Sequence, residues 1–186
     1  MLNLADIKTG KSITINNEPY LVIFHQHSKT GRAGAVLRTK IRNLRSGAVM
    51  EKTFQGSDKV EDADIAKTKA QFLYREGESF YFMDAATYEQ FSLPQNVLGD
   101  LTKFLLENTE VTILNFNSRP INIELPIKME FRVAEAPPAI RGNTADGGSK
   151  QVTLETGIKT NTPLFVKVGD VVRINTETGE YVERVK

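Results

Sequence analysis

The sequence contains no cysteine, only two histidines and no long apolar run. Zero cysteines among 186 residues exclude disulfides, thiolate metal sites and cysteine nucleophiles. No uncharged apolar stretch reaches the roughly 18 residues that a membrane helix needs, and the opening residues MLNLADIKTGKS lack the apolar core of a signal peptide. We therefore expect a cytoplasmic protein, and several enzyme classes are excluded.

The scarcity of histidine also leaves little room for hydrolytic or metal chemistry. His25 and His27 lie two residues apart and would share one face of a strand, but no third metal ligand lies nearby in the sequence. A serine hydrolase would need one of them, and no GxSxG motif accompanies them. The acidic cluster of Glu61, Asp62 and Asp64 is typical of a solvated linker rather than a Mg²⁺ site. We expect a protein that is not an enzyme and that needs no metal or cofactor.

The net charge of +1 conceals an uneven distribution of charge along the chain. Residues 1–54 carry nine Lys/Arg against three Asp/Glu, a net charge of +6. Residues 55–136 carry eight against fourteen, a net charge of −6, and residues 137–186 are nearly balanced at +1. A basic surface attracts polyanions through phosphate contacts and counterion release, whereas an acidic surface repels them. Nucleic acid is therefore expected to meet the first part of the chain.

Short alternating runs separated by turn residues predict an all-β protein made of three small β-barrels. One short amphipathic helix is predicted at residues 94–106, and the order of strands and helix around it is that of an OB-fold. We place the domains at residues 1–63, 64–128 and 129–186, with the acidic segment 59–64 as a linker or exposed crossover. Strands are predicted at 12–15, 20–27, 35–44, 71–75, 79–83, 88–91, 111–116, 120–124 and 128–133, and then at 151–154, 159–161, 164–167 and 171–175; the run 128–133 is grouped with the closing strands of the second barrel.

The alternating pattern of the predicted strand at 35–44 indicates a charged stripe. Its alternation places Val36, Arg38, Lys40 and Arg42 on one face, while Leu37 and Ile41 would face a core. Thr39 has the same spacing but is polar, so its face is left open. Just before it, residues 28–34 read SKTGRAG, with two cations, two glycines and no acid. Glycine permits positive φ and close approach to phosphate, and arginine can bind phosphate with two hydrogen bonds or stack on a base. The alternative is an ordinary solvated hairpin. The charged stripe behind the loop disfavours this alternative.

Two further features have plain structural interpretations. The glycines at 147 and 148 precede Ser149 and Lys150, but the GxxxxGK[ST] spacing of a phosphate loop is absent, which leaves RNA backbone contact or a simple loop. Phe80, Tyr81 and Phe82 could stack bases as aromatic residues do in OB-folds. Their acidic surroundings favour core and interface packing instead.

Several motifs resemble those of one family. The loop KTGRAGA and the following LRTKIRNLRSGAVMEKTF are similar to the elongation factor P pattern, in which Lys-Pro-Gly-Lys-Gly-x-Ala precedes a basic strand and Glu-Lys-Thr-Phe. The resemblance continues in order through PAIRGNT at 138–144, LETG at 154–157, PLFV at 163–166 and NTETGEYVERV at 175–185. It therefore spans nearly the whole chain.

The resemblance implies an elongated, L-shaped molecule with an SH3-like (KOW-like) first barrel followed by two OB-folds. It implies a factor that binds both ribosomal subunits between the peptidyl and exit sites and positions peptidyl-tRNA, which stimulates peptide-bond formation at consecutive prolines. The expected tRNA and rRNA contacts are Lys29, Gly31, Arg32, Gly34, Arg38, Lys40 and Arg42, and the expected small-subunit contacts are Gly142, Asn143, Thr144, Gly147, Gly148 and Lys150.

The loop departs from the family pattern at two positions. Arg32 stands where the family often has a modified lysine, so a lysyl-type extension is excluded, and a rhamnosylated or an unmodified Arg32 both stay open. A modifying enzyme acting on Arg32 is thus a possible partner. Thr30 replaces the usual proline, which loosens the turn. The alternatives to the factor itself are an elongation-factor-P-like paralogue or a general single-stranded RNA-binding OB protein.

Overall fold

The protein is described by a computed structural model that covers residues 2–29, 35–56, 58, 60–138 and 148–185. Within these residues, fifteen strands form three five-stranded antiparallel sheets, one after another along the chain. Helical structure is confined to short segments. The prediction of an all-β protein built from three small β units is confirmed.

The first sheet has the strand order β4-β3-β2-β1-β5. Its core collects the inward side chains of successive strands, among them Ile13, Val22, Leu37 and Ile41, each fully buried. The predicted strands are present, and β2 is longer at both ends than its apolar run, because its polar ends pair with β1 and β3. The strands are β1 (Ser12–Ile15), β2 (Glu18–Lys29), β3 (Ala35–Asn43), β4 (Val49–Gln55) and β5 (Glu61–Asp62).

The acidic segment at 59–64 is not a simple linker. Glu61 and Asp62 pair with Thr14 and Ile13 of β1, so the backbone hydrogen bonds of this segment close one edge of the sheet. Their side chains point to solvent, and Lys11 donates a hydrogen bond to Asp62 over 2.6 Å. The charge pattern correctly indicated exposed side chains but concealed the strand.

The second sheet has the order β10-β9-β6-β7-β8 and a core rich in phenylalanine. The predicted helix at 94–106 is wrong in length. An α-helix, α1 (Gln95–Leu98), stops at Gly99, whose φ of 55° is a conformation that glycine adopts without strain, and a 3-10 helix continues from Gly99 to Phe104. The strands are β6 (Ile65–Glu76), β7 (Ser79–Asp84), β8 (Gln90–Pro94), β9 (Glu110–Phe116) and β10 (Arg119–Glu124).

The third sheet has the order β13-β12-β11-β14-β15 and corrects two predictions. The run at 128–133, grouped with the second barrel, belongs here, because β11 pairs with β12 and β14. The predicted strand at 164–167 is wrong, because this segment is a turn in which the Val166 amide donates to the Pro163 carbonyl over 3.2 Å. Its apolar residues produced a strand-like pattern, since Val166 is buried. The strands are β11 (Lys128–Glu135), β12 (Ser149–Leu154), β13 (Lys159–Pro163), β14 (Val171–Asn175) and β15 (Tyr181–Val185), the last of which the pattern did not predict.

Buried contacts join neighbouring sheets. Leu44 and Ala63 pack with Leu114 and Phe116 in a cluster between the first and second sheets. The Asn122 side-chain amide donates to the Leu44 carbonyl over 3.0 Å beside this cluster. Domains this small bury little surface by themselves, so these junctions contribute to the stability of each neighbour.

One hairpin turn recurs in all three sheets. The side-chain oxygen of Asn43 accepts hydrogen bonds from the amides two and three residues on, and Asp84 and Asn175 do the same at the equivalent turns of the other sheets. Asp84 is the ionisable member of the three. The amides of Thr87 and Ala86 donate to its carboxylate and hold the pKa of Asp84 below its usual value.

Candidate nucleic-acid interface

The hairpin of β2 and β3 carries the predicted loop. Its last described pair joins Lys29 to Ala35, and the strands run in continuous register from there back to Tyr20 and Asn43, with one bulge. The predicted loop residues Gly31, Arg32 and Gly34 lie outside the described residues. What the structure establishes is that a long β2–β3 arm, with β4 paired along β3 as far as Val36, leads to this loop.

The predicted stripe of cations is present behind the loop. Arg38, Lys40 and Arg42 are exposed on one face of β3, whereas Leu37 and Ile41 between them are fully buried. The alternation predicted from the sequence is therefore confirmed.

The remaining buried position of β3 is polar. Thr39 is 3% exposed, and its hydroxyl donates to the Lys52 carbonyl over 2.8 Å, which satisfies the one polar group that the alternation turns inward. This resolves the one position that the sequence pattern left open, since Thr39 faces the core.

The stripe is only partly neutralised by neighbouring acids. Lys40 lies 3.4 Å from Glu51 across the β3–β4 pair, and both side chains are largely exposed. Among the described residues, Arg38 and Arg42 form no ion pair. An exposed pair contributes little to stability, so these cations remain available to a charged ligand.

An exposed aromatic side chain lies on the same face, and sequence reasoning missed it. Phe24 is opposite Lys40, Gln26 is opposite Arg38, and Phe24 is 47% exposed. Strict alternation from the buried Val22 would turn Phe24 inward, but a bulge between them inserts one extra residue and reverses the face. The bulge has no signal in the apolar run LVIF, so the pattern could not reveal this residue.

The two histidines lie on the opposite face of β2, across from Thr39 and Leu37. The Nδ1 atom of His25 accepts a hydrogen bond from the Thr9 amide over 3.1 Å, and the Thr9 hydroxyl lies 2.9 Å away. The His25 and His27 rings meet edge to face with centroids 6.0 Å apart. In the part of the chain that the structure describes, no group of three His, Asp or Glu could hold a metal ion.

The outer face of the second sheet offers a contrasting aromatic site. Phe80 and Phe82 are buried as predicted, but Tyr81 lies outside and stacks on Tyr74 with ring centroids 4.7 Å apart. The negative charge of Glu76 raises the pKa of Tyr81 above its ordinary value, with smaller contributions from partial burial and from Tyr74. The acid beside these rings disfavours a phosphate at this site.

The predicted small-subunit loop is described only at its end. Gly142, Asn143, Thr144 and Gly147 lie outside the described residues. Gly148 precedes β12, and Lys150 within β12 donates through Nζ to the Pro137 carbonyl over 3.1 Å. Lys150 thus fastens the two described ends of this segment together.

Three family models together match most of the chain. They are the elongation factor P KOW-like domain over residues 3–60, the elongation factor P OB domain over residues 65–123, and the elongation factor P C-terminal domain over residues 129–184. An elongation factor P from Moorella thermoacetica is 44% identical over 184 residues, which are 99% of this chain and all of that protein. The chain belongs to the elongation factor P family.

Other relatives agree with this membership. An elongation factor P from Carboxydothermus hydrogenoformans is 45% identical over the full length of both chains. A solved structure described as eukaryotic translation initiation factor 5A from Methanococcus jannaschii is similar with a TM-score of 0.54 and 24% identity, over 67% of this chain and 90% of that one. The similarity to this initiation factor shows the fold alone.

Membership of the elongation factor P family assigns the chain to translation elongation. The basic first sheet is the part that matches the KOW-like domain, and the second and third sheets match the OB and C-terminal domains. Among the described residues, no helix is long and apolar enough to cross a membrane.

Proposed function

We propose that this chain binds the ribosome between the peptidyl and exit sites and stimulates peptide-bond formation on ribosomes stalled at consecutive prolines. The observation that carries the proposal is the β2–β3 arm, with Arg38, Lys40 and Arg42 exposed in one row behind the loop that contains Arg32. RNA surrounds any factor at that location, and a row of cations binds its phosphates at low cost because the strand already fixes their spacing.

The mechanism we propose is positioning without chemistry by the factor itself. The cation row and the loop residues Lys29, Gly31, Arg32 and Gly34 would hold the end of peptidyl-tRNA near its attack geometry. Holding reactants in place lowers the entropic part of the barrier and needs no new catalytic group.

The remaining assignments follow from the same proposal. Domains would span residues 1–63, 64–128 and 129–186, and the loop with Gly142, Asn143, Thr144, Gly147, Gly148 and Lys150 would meet the small subunit. Arg32 would be the candidate position for modification by a partner enzyme, and the protein would act in the cytoplasm.

The test is reconstituted translation of a reporter that contains consecutive prolines, with and without this protein. We expect the natively purified protein to increase full-length product and Arg32→Ala to lose most of that increase, because the loop tip would no longer reach the tRNA. Arg119→Ala, an exposed arginine at the start of β10, is the matched control and should behave as wild type. No increase by the wild-type protein would contradict the proposal, and equal activity of Arg32→Ala would move the active contact elsewhere on the arm.

A further inference from the structure

The outer face of the first sheet contains an aromatic ring that no structural role accounts for. Phe24 is 47% exposed, although phenylalanine is a residue that folding normally buries. The bulge after Val22 is what turns it outward. Bulges re-aim side chains and are over-represented next to functional sites, so the ring is displayed by a specific backbone feature.

Polar and cationic side chains surround this ring. Phe24, Gln26, Arg38, Lys40 and Thr53 line a shallow depression of about 440 Å³, together with Thr39 and Glu51. Lys40 is directly opposite Phe24, and Arg38 is directly opposite Gln26. The depression therefore offers one flat apolar surface, hydrogen-bonding groups at its side and cations along its border.

We propose that this depression binds one unpaired RNA nucleotide, with its base stacked on Phe24 and its flanking phosphates on Arg38 and Lys40. An aromatic ring beside a cationic row is the arrangement with which proteins hold single-stranded nucleic acid, because every base has a stacking face and every linkage has a phosphate. Gln26 and Thr53 supply donors and acceptors at the base edge. The inference rests on the proposed function and adds to it a base-binding position on the sheet, away from the loop.

Charge complementarity favours RNA over a protein as the ligand of this depression. The outer face of β2, β3 and β4 carries Arg38, Lys40 and Arg42 against the single acid Glu51. The other exposed aromatic site, Tyr74 with Tyr81, lies next to Glu76 and has the opposite sign. The two sites therefore provide an internal pair: both display an aromatic surface, but the charge next to the rings is positive at Phe24 and negative at Tyr74 and Tyr81.

The absence of tryptophan from the chain allows a direct test of stacking. Phe24→Trp and Tyr74→Trp each place a single tryptophan on one of the two faces. Titration of each full-length variant with a short single-stranded oligoribonucleotide should quench the fluorescence of Phe24→Trp in a saturable, salt-sensitive manner and leave Tyr74→Trp nearly unchanged. Absence of binding, binding without quenching of Phe24→Trp, or equal quenching of both variants would overturn the proposal.

A substitution series separates stacking from mere packing. Phe24→Ala should weaken oligoribonucleotide binding about tenfold, the loss expected for one stacked base, whereas Phe24→Trp should retain it. Phe24→Leu keeps apolar volume without an aromatic face and should resemble Phe24→Ala. Full binding by Phe24→Leu would show that the side chain acts by volume alone and would overturn the stacking role. The thermal midpoint of each variant, expected near that of wild type for a half-exposed side chain, checks that all are folded.

The source of the nucleotide is identified in ribosome complexes. A photo-crosslinking benzoylphenylalanine at position 24 should attach to RNA in excess of the same residue at position 74, and sequencing of the product distinguishes tRNA from ribosomal RNA. Either RNA supports the proposal, and a crosslink to protein overturns it. One combination of results would reject this inference while leaving the proposed function intact. In that combination Arg32→Ala loses reporter rescue, whereas Phe24→Ala binds RNA and rescues the reporter as the wild-type protein does. Failure of the wild-type protein to rescue would reject the proposed function itself.

Discussion

The outer faces of the first and second sheets each display an aromatic side chain, yet the charges next to these side chains have opposite sign. In the first sheet Phe24 lies opposite Lys40, with Arg38 two residues along the same strand. In the second sheet Tyr74 stacks on Tyr81 beside Glu76. Both faces belong to five-stranded antiparallel sheets with phenylalanine or aliphatic cores. Similar sheets therefore supply a surface in both places, while a few charged residues determine which ligand can bind there.

The strongest effect is expected from reversing the charge of the cations on the first sheet. The double variant Arg38→Glu, Lys40→Glu should weaken ribosome binding by at least about tenfold at low salt, because attraction to phosphate becomes repulsion. The measurement is co-sedimentation with ribosomes at two salt concentrations, and the salt dependence should flatten in the variant.

Its matched control lies on the second sheet. Lys67→Glu, Lys69→Glu makes the same change in charge at the same spacing on β6 and should bind ribosomes nearly as wild type. Lys67 pairs with Glu124 at 2.7 Å, but both side chains are substantially exposed, so losing that pair costs little stability. Equal losses in both double variants would mean that net charge alone, rather than the face, governs binding.

A weaker effect is expected at the Tyr74–Tyr81 site of the second sheet. Glu76→Gln should lower the pKa of Tyr81 toward its ordinary value, because the negative charge that disfavours the tyrosinate is removed. Spectrophotometric titration of tyrosinate, with Tyr81→Phe to identify the signal, measures this shift. Glu78→Gln removes a charge two residues further along the chain and should leave the titration of Tyr81 as it is. An unchanged titration in Glu76→Gln would show that the local field on this face has another origin.

The smallest expected effect concerns the shared hairpin turn. Folding lowers the pKa of Asp84, so its contribution to stability is fully present above the unfolded value of about 3.9 and is lost as the pH falls through the folded value. Asp84→Asn keeps the acceptor oxygen at every pH, as Asn43 does in the first sheet. This variant should make the loss of stability with falling pH slightly less steep. Asn175→Asp is the reciprocal variant and should make it slightly steeper. Acid titrations followed by circular dichroism compare the variants, and identical profiles would contradict the role of this carboxylate.

Much of the architecture could be predicted from local patterns. Alternation in β3 identified Leu37 and Ile41 as core and Arg38, Lys40 and Arg42 as surface, because the side-chain period of a strand is fixed by its backbone. Patterns failed where a long-range partner decides the conformation. Residues 61–62 became a strand only because β1 offers them an open edge, and residues 128–135 joined the third sheet because β12 and β14 are their partners.

The three β units, the basic character of the first unit and the row of cations behind the loop all follow from the amino-acid sequence, because they depend on composition and on the two-residue period of a strand. The outward position of Phe24 depends instead on the pairing of strands. The bulge after Val22 arises where β2 is matched to β3, and a register fixed between two strands cannot be read from either strand alone. The same reason placed Tyr74 against Tyr81, residues whose stacking depends on the pairing of β6 with β7.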